Sequence, residues 1–387
     1  MSAIFKKLNK PMSVKGALLS SCLLLLTAVS CGEDVNDRGA ADRQLLPVVL
    51  NGKVGFIRTS GEIEILPRYD VASGFTEGLA RILIGTKYGY INEEGEVKIK
   101  PVFDGATDFT EGMALVVLNG KRGYIDKTGK MITRDDFDNT WGFAEELAVV
   151  NIKGKYGFID KSGKLVIEPR FDIANNFSEG LALVVIGGKR GFIGKKGNIA
   201  ISPVWGSASS FSEGLARVGL NGKHGFINKK GEVVISPGFD SAQDFKDGLA
   251  LVKINGKYGY IDKNGGIVIK PEFEKAWGFS GGAARVTIDN KVGYIDRHGK
   301  MTIKPRYEGA SNFSEGLAFV SINGKIGYID EKGKLVIKPQ YDAASSFENG
   351  FARVYIRHKM GYIDRHGDYI WNPTDATLST ELCAPPF

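Results

Sequence analysis

Cysteine is scarce in this chain. The 387 residues hold three, Cys22, Cys31 and Cys383, too few and too scattered for a disulfide framework. Four histidines complete the set of soft ligands, and no Cys/His spacing of the zinc-site kind occurs. Long apolar runs are also missing. The longest, from Ala17 to Val29, is interrupted by Ser20, Ser21, Cys22 and Thr27 and falls short of the ~20 residues a spanning helix needs. No segment sustains a helical period of apolar residues. Charge of one sign is not concentrated either. The formal net charge is +7, but Lys6, Lys7, Lys10 and Lys15 lie in a leader-like segment, and without them 47 basic residues face 44 acidic ones. That is a mixed, solvated surface, without the clustered basic footprint of a nucleic-acid binder.

Glycine is abundant, with 51 residues, roughly twice the usual share of ~7%. Its distribution is periodic. Glycine recurs every 34 residues at Gly55, Gly89, Gly123, Gly157, Gly191, Gly225, Gly259, Gly293, Gly327 and Gly361. A lysine precedes each by two residues, from Lys53 to Lys359, and an aromatic residue and isoleucine follow it, as in Tyr260-Ile261. Proline returns from Pro67 to Pro373, phenylalanine nine times from Phe75 to Phe347, and alanine from Ala80 to Ala352. Repetition at a fixed period outweighs any domain count based on length.

One copy shows the expected structure. Leu249 to Ile254 forms a short strand, and Asn255-Gly256 signals a two-residue hairpin because both residues tolerate positive φ. Tyr258 to Asp262 returns as a second strand, with Gly259 in mid-strand marking a bulge or a close approach by the next unit's backbone. Lys263-Asn264-Gly265 turns the chain, and Ile267 to Lys270 is a third strand stopped by Pro271. Phe273 to Phe279 is a connector pinned by aromatic burial. Three short strands cannot cover their own apolar face, so neighbouring units must stack. Phe211, Phe245, Phe279 and Phe313 are expected between units.

The fold class is therefore all-β, a tandem array of ten 34-residue three-stranded antiparallel meanders over residues 45–373. Ten units exceed the usual four to eight propeller blades, and the chain starts on a first strand and ends on a third. An open superhelical array is preferred on these grounds. The alternative is a closed β-propeller, as one ring or two five-bladed rings.

The element Asn-Gly-Lys-x-Gly-Tyr-Ile-Asp-x-x-Gly, at Asn255 to Gly265 and Asn323 to Gly333, resembles the WG (also called KWG) repeat of bacterial proteins. The matching core is Lys-x-Gly-aromatic-Ile, and Trp141-Gly142 and Trp277-Gly278 are incidental to it. The hairpin more loosely resembles the choline-binding repeats of cell-wall proteins, which are shorter and richer in tryptophan. The WG resemblance implies no particular activity.

Ahead of the repeats, residues 1–30 have the layout of a signal peptide, with either Met1 or Met12 as the start. Thr27-Ala28-Val29-Ser30-Cys31 resembles the lipobox of bacterial lipoproteins, although Ala28 stands where that family prefers leucine. The resemblance implies lipidation at Cys31, attachment to the cell envelope, and a flexible tether over residues 31–44. The acids just after Cys31 resemble surface-export signals of some bacterial lipoproteins. Residues 374–387 form a C-terminal tail.

His298 and His366 share one turn position, and His224 and His358 lie beside hairpins. No catalytic triad or P-loop can be assembled, so neither an enzyme nor a cofactor is expected. Asp126, Asp160, Asp262, Asp296, Asp330 and Asp364 form either a ligand row or Asx-type turn caps. The lysines from Lys53 to Lys359 form either a basic ladder for an anionic polymer or solvated hairpin flanks. Arg81, Arg217, Arg285 and Arg353 occupy one variable position and are the candidate ligand-facing residues. Thr133-Arg134-Asp135-Asp136 lacks the proline and Glu145-Glu146 replaces Glu-Gly, which marks a local kink, a special surface or plain drift. The expected function is a membrane-tethered, non-catalytic scaffold for a protein or glycan of the cell envelope, or a polysaccharide binder.

Overall fold

The structure is a computed structural model, and it describes residues 44–133 and 137–374. The leader, Cys31, most of the tether, Arg134 to Asp136 and the C-terminal tail lie outside the described residues.

Ten small antiparallel sheets follow one another along the chain. Blade 7 is typical, with strands Ala250–Ile254, Lys257–Ile261 and Ile267–Phe273. The Asn255-Gly256 hairpin has both residues at positive φ (50° and 81°), the pairing a type I′ turn requires. Two expectations need correction. The units are four-stranded, because Ser241–Ala242 pairs with Lys253 and Val252 at the start of the sheet. Only the first blade, Leu46–Leu50, Lys53–Ile57 and Ile63–Tyr69, has three strands among the described residues. The third strand also does not stop at proline. It continues through Pro271 to Phe273, because a register shift between Tyr258 and Tyr260 removes the ladder bond that Pro271 could not donate.

That shift explains the invariant glycine. A Cβ on Gly259 would lie 2.5 Å from the Ile269 oxygen and 2.7 Å from the Pro271 nitrogen. The close approach is a bulge of the blade's own third strand and not of the next unit's backbone.

The core lies between blades. At the junction of blades 6 and 7, Leu215, Phe226 and Ile235 pack on Phe245, Ala250, Val252 and Ile261. Phe226 and Phe245 meet edge-on, with centroids 4.8 Å apart. The four expected phenylalanines, Phe211, Phe245, Phe279 and Phe313, are all buried. Where the residue after the invariant glycine is tyrosine, its hydroxyl ties the blade to the next: Tyr260 donates to the Trp277 carbonyl at 2.7 Å and Tyr328 to Ser345 at 2.8 Å.

The last blade makes the same tie to the first. Tyr362 donates to the Pro47 carbonyl at 2.9 Å, and Met360 and Tyr362 join the cluster of Leu46, Val48 and Phe56. The array is thus one closed ten-bladed, propeller-like ring, against the preferred open superhelix. The core runs unbroken between blades 5 and 6, where Leu183, Trp205, Phe211 and Val218 pack together, so it is not two five-bladed rings. Closure needs no exchanged strand. Face-to-face packing of blade 10 on blade 1 is the same interaction that holds every other junction.

Candidate binding surface

Antiparallel order gives the ring two distinct faces. Asn-Gly hairpins and blade-to-blade links share one face. Turns into the first strand and turns between the second and third strands share the other. The exposed third strands form the outer wall, and the short strands and connectors face the axis.

On the hairpin face the repeated lysines are not a free basic ladder. Lys155 pairs with Asp172 of the following link at 2.6 Å, and the other oxygen of Asp172 accepts the Gly187 amide at 2.7 Å. Asp70 clamps Lys53 and the Gly85 amide, and Asp104 clamps Lys87 and the Asn119 amide, in the same way. Asp240 and Asp342 repeat the arrangement with Lys223 and Lys325. The lysine hydrogen bond, followed by the amide or in part offset by desolvation, holds each of these carboxyls below its ordinary pKa.

The opposite face carries a second series that sequence reasoning missed. Glu111 accepts the amides of Glu145 and Glu146 at 2.7 and 2.9 Å, and Glu213 accepts the Gly248 amide at 2.9 Å. Lys127, Lys195, Lys229 and Lys263 pair with Glu77, Glu145, Glu179 and Glu213, each 50 residues earlier in the chain. The signal was present in the sequence as a joint loss: Gly281 replaces the carboxylate in one blade, and Glu331 stands where its lysine would be. Partial burial pushes Glu77, Glu179 and Glu213 upward, but lysine and amide bonds outweigh it and their pKa values fall. The departing blade keeps this frame. Glu146 occupies the glycine position at φ 74° and pairs with Lys161 at 2.7 Å.

A pH dependence follows. These carboxyls have folded pKa values below their ordinary 3.8 and 4.5. Their stabilising contribution is complete above those values and is lost as pH falls through the lower folded ones. The urea midpoint should be flat from about pH 7 to about pH 5 and should drop progressively below about pH 4. A midpoint that holds at about pH 3 would remove the latches from the account of stability.

The six aspartates after the second strand are turn caps. Asp262 accepts the amides of Asn264 and Gly266 at 2.9 and 2.8 Å, and Asp126 and Asp330 do the same with their own turns. His298 and His366 sit in such turns, their amides bound to Asp296 and Asp364.

The arginine position lies on the first strand near the axis, and three of its members tie blades together. Arg81 donates to the Ala106 carbonyl at 2.6 Å and pairs with Asp108 at 3.3 Å. Arg217 bonds to the Ala242 carbonyl at 2.8 Å and lies 3.6 Å from Asp244. Arg285 donates to Ala310 and Asn312 and covers the Trp277 ring, 4.6 Å from its centroid. Arg353 holds the same position in blade 10, where its charge acts on the Tyr362 hydroxyl. Arg81, Arg217 and Arg285 each face an acid or amide in the next blade. Where the position is Leu115, Leu183, Leu251 or Phe319, the facing residue is Gly142, Ser210, Gly278 or Ser346, whereas Val149 faces Asn176.

This alternation leaves a cleft. Between blades 7 and 8, Leu251 and Gly278 replace the arginine tie, and a cleft of about 630 Å³ opens across blades 6, 7 and 8. Leu251, Phe245, Tyr260 and Phe279 contribute its apolar lining, and Glu213, Arg217, Gln243, Asp244 and Lys246 its polar lining. Apolar surface beside a few convergent polar groups is the usual make-up of a ligand site. Among the described residues no group of three or more His, Cys, Asp or Glu side chains is placed to hold a metal ion.

The fold has distant likenesses among solved structures. A eukaryotic initiation factor superposes with a TM-score of 0.50 at 14% identity, over 74% of this chain and 92% of that one. Dihydro-heme d1 dehydrogenase NirN gives 0.35 at 15% identity over 69% and 75% of the two chains. PorZ, a surface component of the type-IX secretion system of Porphyromonas gingivalis, gives 0.27 at 12% over 82% and 56%. At these identities the likeness concerns fold alone. No curated protein matches the sequence. The model of the WG containing repeat matches nine times, at residues 55–88, 88–121, 123–156, 156–189, 191–223, 225–258, 258–291, 293–325 and 326–357. These matches span most of the ring, and the chain belongs to the WG-repeat family.

Proposed function

We propose that the ring is a membrane-tethered, non-catalytic interaction scaffold that takes a protein or glycan ligand of the cell envelope on its axis-facing surface. The observation that carries this reading is the contrast between a fixed frame and a variable inner wall. Phenylalanine, alanine and glycine positions repeat because they pack blades, whereas residues 81, 115, 149, 183, 217, 251, 285, 319 and 353 differ from blade to blade, being arginine, phenylalanine, leucine or valine, with Val149, Leu183 and Leu251 drawn into the core. That variation produces the cleft at Leu251 and Gly278. Its polar groups, Glu213, Arg217, Gln243, Asp244 and Lys246, could hydrogen-bond sugar hydroxyls, which is the ground for the polysaccharide-binding alternative.

The first strand opens at Leu46 on the carboxylate-latch face. Residues 31–44 reach on the order of 45 Å when extended. Cys31→Ser should abolish lipid attachment and shift the protein to the aqueous phase in detergent partitioning. Unchanged partitioning would remove the anchor.

The double change Leu251→Arg with Gly278→Asp installs the missing tie and should close the cleft. Purified peptidoglycan should retain the native ring and lose the double variant if the ligand is glycan. No retention of the native ring would remove the polysaccharide alternative and leave protein as the ligand.

A further inference from the structure

Among the described residues, one link on the hairpin face has no carboxylate at the clamp position. In the link between blades 5 and 6 the position of Asp70, Asp104, Asp172, Asp240 and Asp342 is Gly206. The backbone does not require glycine there. Gly206 has no positive φ, and its amide donates to the Gly219 carbonyl at 3.1 Å as that of Asp70 does to Leu83 at 2.9 Å. A Cβ would meet one atom, the Gly219 oxygen, at 3.4 Å. An aspartate side chain therefore fits, and this sequence omits it.

The groups that such a carboxylate would bind are still present. Lys189 stands where Lys155 and Lys223 stand in neighbouring blades. Asn221 and Gly222 form the hairpin that offers its amides in blade 6. Among the described residues neither Lys189 nor these two amides has a partner. A second cation has been added: Arg190 donates to the Gly206 carbonyl at 2.6 Å. Most other blades have an uncharged residue there, such as Tyr88, Tyr156, Tyr258 or Ile326; blade 3 also has an arginine, but Arg122 is held by Asn139 in a link that keeps its carboxylate, Asp138.

We infer that the Gly206 junction is a binding site for the carboxylate of an external ligand, with Lys189 taking one oxygen and the Asn221 and Gly222 amides the other. The geometry is supplied by the protein's own clamps: in Asp172 one oxygen accepts the lysine and its twin the hairpin amide. Two cations with no acid at this position favour an anion, and paired donors from two blades favour two oxygens of one planar group. The site is on the face opposite the latches and does not depend on the axial cleft.

The test uses the full chain carrying Cys31→Ser, titrated with sodium acetate against sodium chloride at matched ionic strength. The amide resonances of Asn221 and Gly222 are followed. Acetate should shift both saturably and chloride should not. The shift should vanish in Gly206→Asp, which supplies its own carboxylate, and weaken severalfold in Lys189→Met, an exposed change that leaves the core untouched. Glucuronate and N-acetylalanine then distinguish an acidic sugar from a peptide terminus, whichever saturates at lower concentration than acetate. Equal shifts with chloride, undiminished shifts in Gly206→Asp, or a response to inorganic phosphate but not to acetate would each overturn the assignment.

Discussion

Replacing Phe245 with alanine should destabilise the protein by about 3–5 kcal/mol, the usual cost of emptying a buried phenylalanine site. Phe245 is 1% exposed and fills the junction of blades 6 and 7 against Phe226. An aromatic pair of this geometry adds about 0.5–1.5 kcal/mol beyond its buried area. The loss falls on one junction of a closed ring, so protease should cut first within blades 6 and 7, while the remaining junctions hold. Lys257→Ala, an exposed change at the start of a strand, should alter stability by no more than about 0.5 kcal/mol. A lysine variant more damaging than the phenylalanine variant would invert the assignment of core and surface throughout the ring.

Gly259→Ala should be comparably harmful for a different reason. The added methyl would lie 2.5 Å from the Ile269 oxygen and 2.7 Å from the Pro271 nitrogen. Overpacking typically costs about 1–3 kcal/mol, and more where neighbours cannot rotate aside. Here the neighbours are backbone, so relief requires remaking the bulge that carries the third strand past Pro271. The expected result is a loss in denaturant midpoint above the common range for one added methyl. Gly278→Ala, with only the Gln243 side chain near its Cβ, serves as the mild control. Equal effects of the two substitutions would mean that the glycine repeat is not held by the bulge.

Much of the fold was legible because its determinants are local. Asn255-Gly256 fixes the hairpin through positive φ, Asp262 caps its own turn, and the Phe and Ala positions repeat because they pack. Three features were hidden for physical reasons. Lys275–Ala276 is a strand of only two residues, too short to show any period. Pro271 belongs inside a strand because the ladder is already interrupted opposite it. Closure depends on the angle between neighbouring blades, which no single repeat states, and blade 10 meets blade 1 through ordinary core residues such as Met360 and Tyr362.

The candidate surface was legible to a similar degree. Lys155 looks solvated within its own repeat because its partner, Asp172, lies 17 residues on, in the next blade. Arg81, Arg217, Arg285 and Arg353 stand out in the sequence as one variable position. The contacts of Arg81, Arg217 and Arg285 across the junction, to Asp108, Asp244 and Asn312, were beyond the reach of a one-repeat reading. The cleft borders both the Arg217–Asp244 tie and the tie-free pair Leu251 and Gly278, so no residue alone signalled it.

The closed ring is tested most directly by distance. Spin labels at Asn51 in the first hairpin and Arg357 in the last, in a chain whose cysteines are replaced by serine, report the gap between blades 1 and 10. Labels at Asn221 and Asn255 in the adjacent hairpins of blades 6 and 7 give the internal standard. The ring predicts closely similar distances for the two pairs. A separation between Asn51 and Arg357 several times that of the standard would show an open array and contradict the account.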